Sequence, residues 1–135
     1  MKYLADTSAL VRLLRRQVDP AWHRLEDQVR LAVCEPTIAE TLLIADSKRY
    51  AETERSITDL YLAVPIPDDV WALTATIRRE LAQHSAHQGL SVADLVVAAT
   101  AIRMRLTLLH EDRDFETVER YVPALQQHRI SVRPE

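Results

Sequence analysis

Glycine and cysteine are almost absent from this sequence, and each absence excludes a class of site. Gly89 is the only glycine, which excludes the phosphate-binding loops of the Walker and dinucleotide types, because both need several glycines. Cys34 is the only cysteine, so an internal disulfide is impossible and a reducing, cytoplasmic compartment is expected. Cys34 follows the apolar residues 31–33 and is interpreted as a small core residue.

Long apolar runs and an excess of basic charge are also missing. The longest apolar run lies at about Leu95–Ile102 and is far too short to cross a bilayer, so we expect neither a membrane span nor a secretory signal. The formal net charge is −3 at pH 7, so no global basic field attracts nucleic acid. Of 17 basic residues, 15 are arginines, which suits bidentate phosphate contacts, although a GC-rich genome gives the same bias.

What is present is the pattern of an α/β protein. A chain of 135 residues is long enough for one core, and we expect one domain over residues 1–135. Strands that alternate with helices predict a mostly parallel sheet covered on both faces. The predicted strands are Lys2–Ala5, Leu31–Cys34, Val64–Ile66, Leu106–His110 and Arg129–Val132.

Three helical segments carry further predictions. The segment 37–63 is predicted to hold two helices with a break near Asp46–Arg49. A long amphipathic helix is predicted over residues 68–84, with Gly89 just beyond it as the residue that ends the helical segment. Residues 90–105 are apolar on nearly all sides and predict a buried central helix. An apolar stripe either packs within the domain or forms a dimer face, and its residues are Tyr50, Ile57, Leu60 and Tyr61.

Acidic residues occur where predicted helices begin. Singly, each is well explained as a helix cap, because Asp is a favoured N-cap and Thr37 and Ser91 each begin a capping box. Together they favour another interpretation, since the helix starts of a parallel sheet gather at one edge. The residues concerned are Asp6, Glu40, Asp94, Asp112 and Asp114.

Converging carboxylates predict a metal site. Two carboxylates about 5 Å apart repel by roughly 3 kcal/mol at an effective dielectric constant near 20, so a cluster must either hold protons or bind a cation. Oxygen ligands select Mg²⁺ or Mn²⁺ over zinc. Such an ion activates water for in-line attack on a phosphodiester. The alternative is a non-catalytic α/β binding module whose acids are only caps.

At this point the sequence resembles the PIN-domain ribonucleases, and among them the VapC-like toxins of bacterial toxin–antitoxin pairs. The resemblance covers essentially the whole chain and rests on four ordered motifs, LADTSALVRLL, TIAETL, SVADLVVAATAI and LLHEDRDFE. It implies a three-layer α/β/α sandwich and RNA cleavage that depends on Mg²⁺ or Mn²⁺. It also implies a homodimer and a small antitoxin protein that blocks the acidic cleft.

The resemblance also assigns residues. Asp6, Glu40, Asp94 and Asp112 match the four principal acidic positions, and Asp114 matches a further acid that is frequently present. From these matches we expect Asp6, Asp94 and Asp112 to bind the metal, and Asp114 either to complete the ligand set or to cap the last helix. Glu40 is expected to orient the attacking water or to act as a base through it. Ser8 matches a supporting hydroxyl, and His110 stands where the family often has Thr or Ser. Candidate RNA contacts, although exposed arginines on amphipathic helices are usually only solvated side chains, are Arg113, Arg12, Arg15 and Arg16.

Overall fold

A five-stranded parallel sheet lies at the centre of the protein in the computed structural model, which describes residues 2–135. All four strand pairings are parallel, and the strand order is β3-β2-β1-β4-β5. The prediction of a mostly parallel sheet is therefore confirmed. The strands are β1 (Tyr3–Ala5), β2 (Leu31–Val33), β3 (Leu62–Ala63), β4 (Thr107–His110) and β5 (Gln127–Arg129).

Helices cover both faces of this sheet and give three layers, as in a PIN-like α/β/α sandwich. The predicted break near Asp46–Arg49 is confirmed, because one helix ends at Leu43 and the next begins at Tyr50. The helices are α1 (Thr7–Leu14), α2 (Pro20–Asp27), α3 (Glu35–Leu43), α4 (Tyr50–Leu60), α5 (Val70–Gln83), α6 (Val92–Met104) and α7 (Arg113–Tyr121). Between residues 2 and 135, none of the helices is long and apolar enough to span a membrane.

Strand side chains alternate between two hydrophobic cores, as the two-residue period of a strand requires. In β1, Leu4 packs with Val97 and Phe115 in the core beneath α5, α6 and α7. Its neighbour Tyr3 points to the opposite face and packs with Trp22 in the core beneath α1 to α4. Burial on both faces explains why the central strands β1 and β2 are apolar throughout instead of alternating with polar residues.

Helix α6 is the buried central helix that the sequence predicted. Residues Val96 to Ala101 are all buried, and the apolar residues among them pack in the core beneath α5 to α7. The stripe on α4 is divided: Ile57 and Tyr61 are buried in the opposite core, whereas Tyr50 and Leu60 remain 44% and 36% exposed.

Two predicted strands were misplaced. Strand β3 occupies Leu62–Ala63 instead of residues 64–66, because Pro65 and Pro67 have no N–H to extend the ladder. Strand β5 occupies Gln127–Arg129 instead of residues 129–132, since the chain turns with the Val132 N–H bonded to the Arg129 carbonyl.

The long helix predicted over residues 68–84 is confirmed, but Gly89 does not end it. Helix α5 stops at Gln83, and the left-handed residue that follows it is Ser85, with φ of 54°. Gly89 lies farther along, close to α7: a Cβ built on it would be 3.2 Å from Asp114 Oδ1. Gly89 therefore allows a close approach between two segments and does not terminate a helix.

Candidate active site

The sheet topology brings distant acids to one edge. Strands β1 and β4 are neighbours, with Ala5 opposite Leu109 in the register, so the segments after their carboxyl ends meet there. Asp6 follows β1 directly, and Asp112 follows β4 after one residue. Helix α6 begins at the same edge and carries Asp94. This is the switch point of the strand order, where open α/β sheets bind ligands.

A cleft of about 570 Å³ lies at this edge. Four carboxylates line it, and we call it the acid cleft. Two exposed apolar side chains, Leu43 and Ile44, stand at its border, with exposures of 84% and 65%. The acid cleft is lined by Asp6, Thr7, Ser8, Val11, Arg12, Glu40, Leu43, Ile44, Ser91, Asp94 and Asp112.

Asp6 is the most buried acid of the cleft, with 6% exposure. Its Oδ1 caps α1 by accepting from the Ala9 N–H at 2.9 Å, and it also accepts from the Ser8 hydroxyl at 2.7 Å. Burial raises the pKa of Asp6 from 3.8 to about 6; these two hydrogen bonds oppose the shift, and the charges of Asp94 and Asp112 add to it. A nearby cation would stabilise the ionised form of this carboxyl group and lower its pKa.

Asp94 and Asp112 also cap helices, each through a single oxygen. Asp94 Oδ2 accepts from the Ser91 N–H at 3.1 Å within the predicted capping box, and Asp112 Oδ1 accepts from the Asp114 N–H at 2.9 Å. Burial raises the pKa of Asp94, its bonds to Ser91 lower it, and the charges of Asp112 and Glu40 raise it further. Capping and clustering therefore occur together, and the second oxygen of each carboxylate takes no part in the cap.

Glu40 reaches the acid cleft from the middle of α3. The capping box predicted at Thr37 was wrong, because α3 already begins at Glu35 with Cys34 as its N-cap. The hydroxyl of Thr7 donates to Glu40 Oε1 at 2.6 Å and so fixes its carboxylate at the acid cleft. The sequence placed Thr7 next to Asp6 but did not identify it as a partner of Glu40, since a pair 33 residues apart leaves no local pattern.

A hydrogen-bonded loop holds Asp112 in place. The buried imidazole of His110 accepts from the Asp112 N–H at its Nδ1 (2.9 Å), so its Nε2 carries the proton and donates to Gln127 Oε1 (2.6 Å). Ser8 also accepts from the Glu111 N–H at 2.9 Å, which ties this loop to α1. Burial lowers the pKa of His110, in keeping with a neutral ring.

The remaining candidates lie elsewhere. Arg12 lines the acid cleft and donates from Nη1 to the Ser8 carbonyl at 2.8 Å. Arg15 lines a separate groove between α1 and α4, and exposed Arg113 is absent from the lining of the acid cleft. Asp114 is likewise absent from that lining; burial and the charge of Asp112 raise its pKa, and Arg113 lowers it.

The chemistry of these donors fits a hard divalent cation. Within residues 2–135, no three Asp, Glu, His or Cys side chains are arranged as a ready-made metal site. The acid cleft nevertheless presents only oxygen donors from carboxylates and hydroxyls, which are the ligands that Mg²⁺ and Mn²⁺ prefer.

Similar proteins and structures share this fold. Residues 3–121 match the PIN domain family. The chain is 35% identical to Ribonuclease VapC6 of Mycobacterium tuberculosis over 98 residues, which cover 72% of this chain and 77% of that protein. It is 30% identical to Ribonuclease VapC17 of the same organism over 131 residues, 96% of both chains.

Two solved structures are similar over almost the full chain. VapBC2 from Rickettsia felis, bound to a DNA fragment from its promoter, superposes with a TM-score of 0.76 at 18% identity, covering 96% of this chain and 98% of that one. VapBC-5 from Mycobacterium tuberculosis superposes with a TM-score of 0.66 at 25% identity, covering 97% and 98%. With a parallel α/β/α fold and a cleft lined by four acids, the chain belongs to the PIN-domain family, within its VapC branch.

Proposed function

We propose that this protein is a metal-dependent endoribonuclease and the toxin of a toxin–antitoxin pair. The observation that carries the proposal is the acid cleft, where carboxylates from four separate segments of the chain line one cavity and two of them, Asp94 and Asp112, act with burial to raise the pKa of Asp6. The relatives VapC6 and VapC17 are ribonucleases by name, which supports RNA as the substrate. We also propose that residues 1–135 act as one domain.

The proposed roles follow from the position of each side chain. Asp6, Asp94 and Asp112 would hold Mg²⁺ or Mn²⁺, since each caps its helix through one oxygen only. A divalent ion there supplies charge neutralisation at the phosphate and lowers the pKa of water. Glu40, held by Thr7, orients the attacking water or accepts its proton. Asp114 completes the ligand set from beside Asp112.

Supporting groups keep this arrangement rigid. Ser8 joins Asp6 to the loop that carries Asp112, because its hydroxyl donates to one and accepts from the other. The guanidinium of Arg12 faces the cleft with donors left over after its bond to the Ser8 carbonyl. We propose that Arg12 contacts an RNA phosphate, whereas Arg15 and Arg113 contact RNA only where it extends beyond the cleft.

Two protein partners belong to the proposal. A small antitoxin that covers exposed Leu43 and Ile44 would also block the acid cleft, which these residues border. VapBC-5 is described as a member of the VapBC family of toxin–antitoxin systems, which supports a partner of this kind. A homodimer is proposed as well, and exposed Tyr50 and Leu60 are the part of the α4 stripe left to form it.

The test is RNA cleavage with matched acid variants. Total cellular RNA is incubated with purified protein in Mg²⁺ or in EDTA, and new 5′ ends are mapped. We expect defined cleavage sites in Mg²⁺ only, and their loss in Asp6→Asn and Asp94→Asn. Asp46→Asn is the control, because exposed Asp46 caps only the local turn at Lys48. Cleavage by Asp6→Asn at the wild-type rate would overturn the assignment and favour the binding module.

A further inference from the structure

A second cleft, of about 550 Å³, adjoins the acid cleft near the end of α1. Arg12 lines both clefts. Ser8 and Glu111 form the rest of the boundary: Ser8 lines the acid cleft, Glu111 lines the second one, and the Glu111 N–H donates to the Ser8 hydroxyl at 2.9 Å. A polymer that leaves the acid cleft past Arg12 therefore enters the second cleft directly.

The free charge of the second cleft is positive. Its two acids are neutralised within the fold, Glu111 by Arg129 at 3.0 Å and Asp19 by Arg133 at 3.2 Å. In the part of the chain that the structure describes, Arg12 and Arg16 form no ion pair within 4.0 Å. The cleft is lined by Arg12, Arg16, Gln17, Val18, Asp19, Glu111, Ile130 and Ser131.

Arg16 has a left-handed backbone conformation, as Arg105 does. Helix α1 ends in a Schellman motif, in which the Arg16 N–H bonds to the Leu13 carbonyl and the Gln17 N–H bonds to the Arg12 carbonyl. Arg16 has φ of 56°, the left-handed conformation in which glycine is favoured and other L-residues are strained. Glycine adopts this conformation without strain, so the Arg16 side chain can be removed there without a loss of backbone stability.

We propose that this second cleft, here named the phosphate cleft, binds the backbone of the RNA strand beside the scissile bond, with Arg12 and Arg16 as the phosphate contacts. The assignment rests on the proposed ribonuclease function. Guanidinium groups without a carboxylate partner match phosphate. The cleft lacks the exposed apolar anchor that a protein partner would use, because Ile130 is buried and Val18 half-buried.

Two matched glycine variants test the phosphate cleft. Arg16→Gly removes the side chain and relieves the strained backbone. Arg105→Gly is the control, because Arg105 also has φ of 56° and is exposed, but it caps the far end of α6, just before β4 begins. Both variants are expected to keep the fold or raise its Tm by a few degrees, so weaker RNA binding by one of them is not a consequence of unfolding.

The probe is a fluorescein-labelled single-stranded RNA of mixed sequence, titrated in EDTA so that it stays intact. We expect Arg16→Gly to bind about fivefold more weakly, as for loss of an exposed charge contact. Its slope of log affinity against log salt should fall by about 0.7, the value for one phosphate on a single strand. Arg105→Gly should match the wild type in both measurements.

Each outcome decides a separate question. Equal RNA affinity of Arg16→Gly and Arg105→Gly would overturn the phosphate cleft while leaving the ribonuclease intact, provided that the wild type cleaves RNA in Mg²⁺. A wild type that neither binds nor cleaves RNA would overturn the ribonuclease proposal, and the phosphate cleft with it. If Arg16→Gly instead weakens binding of the antitoxin and leaves RNA affinity unchanged, the cleft is a protein contact and the RNA assignment is wrong.

Discussion

Thr7 and Glu40 are joined across the acid cleft by a 2.6 Å hydrogen bond from hydroxyl to carboxylate. The bond links the first turn of α1 to the middle of α3. Because Thr7 directly follows Asp6, the same turn of backbone positions a proposed metal ligand and the proposed water-orienting group. A small displacement of α1 would therefore change both at once.

Thr7→Val is expected to lower the single-turnover rate of RNA cleavage about tenfold, or about 1.4 kcal/mol. Valine has nearly the same shape but cannot donate to Glu40, and a hydrogen bond to a charged group contributes about 1.5–3 kcal/mol. Thr7→Ser should restore the rate, since it restores the donor. Thr76→Val, on the exposed face of α5, is the control. Cleavage by Thr7→Val at the wild-type rate would show that Glu40 does not need the hydrogen bond from Thr7.

Metal binding should be visible as thermal stabilisation. A ligand present at 100 times its Kd stabilises the folded state by about 2.7 kcal/mol, so millimolar Mn²⁺ should raise the Tm of the wild type. Asp112→Asn should lose most of this rise, although asparagine is as good an N-cap as aspartate.

The matched control for this measurement is Asp19→Asn. Asp19 caps α2 by accepting from the Ala21 N–H at 2.9 Å and does not line the acid cleft. The Asp19→Asn variant should keep the full rise in Tm on addition of Mn²⁺. Equal responses from Asp112→Asn, Asp19→Asn and the wild type would mean that the acids are only caps.

The buried charge of Asp6 gives a specific dependence of stability on pH. Its pKa is raised from 3.8 to about 6, so between these values the folded state binds more protons than the unfolded state, and stability falls as pH rises. Above pH 6 the ionised Asp6 lowers the free energy of unfolding by about 3 kcal/mol, because a difference of one pKa unit corresponds to 1.36 kcal/mol. In EDTA, Asp6→Asn should therefore unfold at a higher temperature than the wild type at pH 7.5, with a smaller gap at pH 4.

Added Mn²⁺ should reverse that order at pH 7.5, because only the wild type keeps the carboxylate. A gap in EDTA that is the same at pH 4 and pH 7.5 would contradict the raised pKa of Asp6. Thermal unfolding of both proteins, followed by circular dichroism in EDTA at pH 4, in EDTA at pH 7.5 and in Mn²⁺ at pH 7.5, is sufficient to decide.

His110 should show the opposite pH dependence. Burial lowers its pKa below the ordinary 6.5, so the unfolded chain takes up the proton first, and the contribution of His110 is lost as pH falls through this region. His110→Leu leaves the Asp112 N–H and the Gln127 Oε1 unpaired and should cost about 2–4 kcal/mol of stability at pH 7.5. Urea unfolding should show a smaller cost at pH 5. A cost that is equal at both pH values would contradict a neutral, buried ring; exposed His87→Leu is the control.

Much of the fold could be predicted from the sequence because its signals are local. Apolar triplets such as Leu31–Val33 and the apolar surface of α6 identify elements buried on all sides, whatever their neighbours are. Prediction failed where a distant contact or a backbone constraint decided the outcome. Strand β3 ends before Pro65, whereas the apolar pattern had predicted a strand over residues 64–66. Helix α3 begins two residues before Thr37, whereas the capping-box pattern had predicted its start at Thr37.

The candidate site divides in the same way. That Asp6 and Asp94 begin helices follows from cap chemistry, which acts over three residues and is written in the chain. That these carboxylates lie in one cleft follows from the parallel pairing of the strands. The sequence predicted it only indirectly, because parallel α/β sheets gather their helix starts at one edge. The bond from Thr7 to Glu40 and the exclusion of Arg113 from the cleft lining were visible only in the structure.

The sequence by itself determined the order of strands and helices, the helix caps and the set of oxygen donors, because each depends on residues within one or two turns of one another. Only the tertiary structure decided which carboxylates share a cleft, how deeply Asp6 is buried and where the unpaired arginines Arg12 and Arg16 lie. Burial and charge proximity depend on packing between segments up to about a hundred residues apart, as in the bond between Ser8 and Glu111, which are separated by 103 residues. Local propensity carries no information about such distances.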